Sequence, residues 1–148
     1  MKPLSKQATR TFNRLVEGLD LQYYGAHKID NAPGVFMAVC ANVVDHTPLG
    51  PVVAITHYYE QNGDLVTDPE MTFLVIDHND ERGRMVLPMT FEQGGRLYQV
   101  AIDVQDDGNM AYRRRLQAQL ATFANKWMAN IWQQQHLAKH GGRKVGAA

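Results

Sequence analysis

The densest chemistry in the chain lies between His57 and Met71, where His57, Asp64, Asp68 and Glu70 fall around the dipeptide Asn62-Gly63. Asn-Gly is a strong hairpin signal because both residues tolerate positive φ. A hairpin can gather carboxylates from its two strands, and converging carboxylates are what a hard cation requires. With an imidazole added, such a cluster would activate a water for phosphoester hydrolysis. The Asp68-x-Glu70 spacing is shared with restriction-type nuclease sites. Those sites also carry a Lys after the Glu on the same strand, and residues 71–81 contain none. The competing reading is structural: Asn62-Gly63 makes one turn, Asp68-Pro69 another, and the acids keep the loop solvated. Both readings stay open at this stage, and so does the question of whether the chain is an enzyme. No cofactor is expected.

Two other groups invite comparison with known chemistry. Cys40, the single cysteine, sits in an apolar stretch, where a free thiol behaves as a small hydrophobe unless a neighbour lowers its pKa. Arg113, Arg114 and Arg115 form a cationic triplet near the start of a helical pattern. Cations at a helix N-terminus oppose the macrodipole by roughly 0.3–1 kcal/mol each, so stability alone does not account for them. Asp106 and Asp107, just upstream, are placed to offset part of that cost.

These groups must be positioned by a chain of 148 residues with 15 Lys and Arg, 15 Asp and Glu, and 45% apolar residues. That is one domain with enough apolar surface to fold without disulfides. Charge is balanced overall and segregated along the chain. Residues 29–81 hold nine acids and no Lys or Arg, whereas residues 108–148 hold seven bases and no acid. Residues 1–28 add five bases, including Lys2, Lys6, Arg10 and Arg14 at four-residue spacing. Such polarity bears on association and steering rather than on fold.

Leu4, Phe12, Leu15 and Leu19 predict a helix over 4–19, with Ser5 as N-cap. The middle reads as about five antiparallel strands over 35–44, 52–59, 71–77, 84–91 and 96–104, joined by turns too short for parallel crossovers. Residues 35–44 are apolar on both faces, the pattern of a covered central strand. A long helix is expected over 110–139, some 45 Å at about 1.5 Å per residue, so that its last turns would overhang the sheet. Its core stripe is Leu116, Leu120, Phe123, Ala124, Trp127 and Ile131. Met128 and Trp132 fall on the flank, as an interface would require. The expected fold is therefore α+β, an N-terminal helix, a five-stranded antiparallel meander and a long C-terminal helix packed on one face. Residues 1–140 form the domain and 141–148 a flexible basic tail.

No apolar stretch approaches the ~18 residues that span a bilayer. The start Met1-Lys2-Pro3-Leu4-Ser5-Lys6 lacks an apolar h-region, which together with the lone cysteine points to the cytoplasm and to no membrane contact.

At Gly34-Val35-Phe36-Met37, at His57 to Asp64, at Asp68-Pro69-Glu70-Met71-Thr72-Phe73 and at Asn125 to Ile131, the chain resembles an uncharacterised domain found on proteobacterial plasmids, integrative elements and phages. The resemblance runs over most of the chain. It implies a mobile-element setting and no established activity. Polarity of charge without a complete catalytic constellation favours a non-enzymatic accessory protein, a homodimer that binds a protein partner. The acidic hairpin and the basic helices would be its contact surfaces. A metal-dependent hydrolase is the alternative, and nucleic-acid binding through the basic helices has the least support from a neutral chain.

Overall fold

The computed structural model describes residues 1–140 and 144–147. The chain opens with α1 (Lys6–Leu15), capped by Ser5, whose side chain accepts from the Ala8 amide at 3.1 Å. Ala8, Phe12 and Leu15 bury the inner face of α1. Gly18, at φ 87°, ends it earlier than the apolar spacing suggests.

Six strands then lie side by side in chain order, each antiparallel to the next: β1 (Ala26–Ile29), β2 (Val39–Thr47), β3 (Gly50–Gln61), β4 (Asp64–Asp77), β5 (Arg84–Gln93) and β6 (Leu97–Val100). The Asn62-Gly63 turn forms as expected, with φ of 52° and 85° joining β3 to β4. A two-stranded hairpin, β7 (Ile102–Val104) with β8 (Met110–Tyr112), precedes α2 (Arg114–Gln134) and the short α3 (Leu137–His140). Of the tail expected over 141–148, residues 141–143 and 148 lie outside the described residues. Lys144–Ala147 forms β9, which pairs with β1.

One face of the sheet packs against α1 and α2. Phe12 meets Phe73 edge-on at 5.5 Å, and Val53, Ile55, Met71, Trp127, Met128 and Ile131 complete that core. On the opposite face, Ile102 and Val104 of the β7–β8 hairpin cover Val52, Leu74 and Leu87.

The structure corrects several boundaries. Residues 35–37 are not strand: Val35 is 72% exposed. The Ala32 carbonyl accepts from the amides of Val35 and Phe36, both at 3.1 Å, and this turn carries the chain past Gly34 before β2 begins. The single strand expected over 96–104 breaks at Ala101. Its buried amide donates to the Met89 carbonyl at 2.8 Å and its carbonyl accepts from the Arg113 amide at 2.9 Å, so the chain leaves one sheet and enters the other there. Met110–Tyr112 is consequently strand, and α2 is 21 residues long, about 32 Å at 1.5 Å per residue. His136, with φ 51°, separates α2 from α3.

The core stripe of α2 is also rotated. Ala121 and Met128 are 3% and 0% exposed, whereas Phe123 is 40% exposed. The cause is α1, which packs along that flank of α2 with its start tied there by the Ser5 amide donating to Asn125 at 3.0 Å.

Candidate functional site

The β3–β4 register decides where the hairpin groups go. Pairing runs Gln61 with Asp64 and Tyr58 with Thr67, then slips, and resumes with Thr56 opposite Glu70. His57 sits at that bulge, close to the cis Asp68–Pro69 bond. A bulge re-aims the side chains beside it, and His57 and Glu70 lie on opposite faces of the sheet.

His57 enters the helix-side core and is 6% exposed. Its Nδ1 accepts from the Trp127 indole N–H at 3.3 Å, and the rings meet at 83°. Because Nδ1 accepts, the neutral ring carries its proton on Nε2, which is buried with no hydrogen-bond partner. Burial lowers the His57 pKa to about 4, against a weaker upward pull from Asp68. A ring this hard to protonate is a poor base near neutral pH.

Glu70 faces the other way. The Thr56 hydroxyl donates to its Oε1 at 3.0 Å. Burial is the largest influence on its carboxyl and raises its pKa; the Thr56 bond opposes this, and neighbouring Glu92 adds to it. Asp68 accepts from the Gln93 side-chain amide at 3.0 Å. Asp64 is exposed at the hairpin turn. The four expected ligands therefore diverge, and among the described residues no group of three His, Cys, Asp or Glu could hold a metal ion.

What the register assembles instead is a polar row across six strands: Lys28, Cys40, Thr56, Glu70, Glu92 and Tyr98, each paired with the next. Tyr58 joins it, its phenol pKa raised first by burial and then by Glu70. Burial likewise raises the Cys40 thiol, against a downward pull from Lys28, so the cysteine is held in its unreactive form. Thr56, Tyr58 and Glu92 were not singled out from the sequence. The alternation of side chains along each strand was the available signal, but the one-residue slip at His57 hides the register from it.

Arg113, Arg114 and Arg115 are exposed at the start of α2. Arg113 occupies the N-cap position and makes no side-chain capping bond. Asp107 is occupied in its own turn, accepting from the Asn109 amide at 2.9 Å. The Gln117 side chain, one turn further on, accepts from the Lys2 amide and donates to the Lys2 carbonyl, both at 2.8 Å. The main chain at Lys2 is thus held against the first turns of α2. Of the expected interface pair, Met128 is enclosed in the core, so it presents no surface to a partner. Trp132 is half-buried, with the Arg10 guanidinium 4.7 Å above its ring.

The ion pairs among the described residues are Arg14–Glu17, Arg82–Asp80 and Arg84–Asp77. None involves Asp64, Asp68, Glu70 or Arg113–Arg115. No described helix is long and apolar enough to cross a membrane.

Fold and site together define an α+β domain, an antiparallel sheet with two helices on one face and, on the other, a polar row beside the apolar cluster under the β7–β8 hairpin. The chain belongs to the family described as a domain of unknown function, DUF6908, whose model matches residues 10–137. No curated protein and no solved structure matches it.

Proposed function

We propose that this chain is a non-enzymatic accessory protein of a mobile genetic element that binds an acidic macromolecular partner, a protein, through the arginine edge at the start of α2. The carrying observation is the placement of Arg113–Arg115. They are exposed, lack a carboxylate partner among the described residues, and stand where the helix dipole penalises cations. A surface that costs stability is accounted for by a contact that uses it. The acidic hairpin with Asp64, Asp68 and Glu70, far less basic than that edge, supplies a second contact surface. In a homodimer it would face the arginine edge of the other copy.

Charge reversal of Arg113–Arg115 to Glu, and separately of Asp64, Asp68 and Glu70 to Lys, followed by pull-down from host lysate, tests the reading. The arginine reversal is expected to remove the partner while raising the melting temperature, since acids at a helix N-terminus stabilise by roughly 0.3–1 kcal/mol each. A lost partner therefore cannot be ascribed to unfolding. Partner sets unchanged by both reversals would overturn the proposal.

A further inference from the structure

We infer that the cleft between α1 and the β4–β5 turn is a binding site for a phosphate ester with an apolar body, the chemistry of a nucleotide. The cleft holds about 640 Å³, within the range of roughly 300–1,000 Å³ typical of small-molecule sites. Lys6, Arg10 and Arg14 line it from α1; Arg82, Arg84 and His78 line it from the turn opposite. Pro3, Leu4 and Met85 add apolar wall, and no Asp or Glu is among the lining residues. Cations around an apolar surface suit a ligand that is anionic at one end and apolar at the other.

The guanidinium groups are held before any ligand arrives. Arg84 donates to both oxygens of Asp77, at 2.7 and 3.1 Å, and to Asn13 at 3.1 Å. Arg14 Nη2 donates to the Leu137 carbonyl at 2.8 Å. Arg82 grips Asp80 at 2.8 Å, and Arg10 rests on Trp132. Asp77 and Asp80 take the Nε–Nη2 edges of Arg84 and Arg82, which sets the planes of the two guanidinium groups and leaves their outer N–H groups for the oxygens of a phosphate. The carboxylates that hold them, Asp77 and Asp80, with Glu17 beside Arg14, are outnumbered by the five permanent cations, so the cleft keeps an excess of positive charge.

Titration calorimetry with AMP, inorganic phosphate, adenosine and an oligothymidylate series tests the assignment. Trp132 fluorescence is a second readout, because a ligand that draws on Arg10 disturbs the stacked indole. AMP is expected to bind one-to-one, inorganic phosphate about tenfold or more weaker, and adenosine not measurably. Lys6→Gln and Arg82→Gln, both surface changes, are each expected to weaken AMP about tenfold at unchanged melting temperature. No AMP binding at millimolar concentration, or binding that neither substitution affects, would overturn the inference. So would phosphate binding as tightly as AMP, or oligothymidylate affinity that climbs with length beyond that of AMP. The Arg113–Arg115 reversal is expected to leave AMP binding intact, so failure here is separable from failure of the partner surface.

Discussion

The Trp127 indole N–H donates to Nδ1 of His57 across 3.3 Å, joining residues 70 positions apart in the chain. The bond ties the bulged strand β3 to α2 and occupies the lone pair that a second proton would need. With the ring 6% exposed, protonation would place an unpaired cation in the helix-side core. His57 is thus a structural imidazole whose neutrality the fold requires.

That requirement makes stability depend on pH. The folded pKa of about 4 lies below the ordinary 6.5, so the unfolded chain binds more protons between these values. Stability is therefore complete above pH 6.5 and is lost as pH falls toward 4. Between pH 7.5 and pH 5 the loss attributable to His57 is about 2 kcal/mol. Urea unfolding of the protein and of His57→Gln across this range checks it: the variant should lose that much of the pH slope. Equal slopes would show that the imidazole is not the titrating group.

Glu70 works with the opposite sign. Its folded pKa lies above the ordinary 4.5, so the stability it contributes is present below pH 4.5 and is lost as pH rises through the higher folded value. Glu70 and Glu92 stand directly opposite each other on adjacent strands, and like charges so placed destabilise by about 0.2–1 kcal/mol. Glu70→Gln keeps an acceptor for the Thr56 hydroxyl and removes the repulsion. Chemical unfolding should find the variant more stable at pH 7 by about that amount, with the gain shrinking at acid pH. A less stable variant at pH 7 would show the carboxylate to be favourably placed.

Gln135, fully buried just after α2, holds the loop before β2. Its side chain accepts from the Asn31 amide at 2.8 Å and donates to the Met37 carbonyl at 2.9 Å. Gln135→Leu leaves both backbone groups without their partner, at about 1–3 kcal/mol for each group that stays unsatisfied. Thermal melting should fall accordingly, and amide exchange at Asn31 should quicken. A melting temperature within experimental error of the parent would mean that water replaces the clamp.

Much of this could be read from residue order. Asn62-Gly63 specifies a hairpin because both residues accept positive φ, and the α1 stripe and the Ser5 cap specify a helix whichever elements lie nearby. The segregation of charge is likewise a property of the chain. The divergence of His57 and Glu70 was not legible, since one slipped residue at the bulge changes which side chains share a face. Nor was the split at Ala101, which rests on backbone bonds to Met89 and Arg113, far from it in the chain.

Burial of Met128 and exposure of Phe123 belong to the same class. A helical stripe states which residues lie together, whereas the side that is covered depends on where α1 comes to rest. The basic cleft is decided in the same way: Arg82 and Arg84 are distant in sequence from Lys6, Arg10 and Arg14, and only packing of α1 against β4 and β5 brings them around one space. Local geometry follows from short-range sterics and hydrogen bonds that each segment carries with it, while site composition follows from long-range contacts that exist only once the whole core has closed.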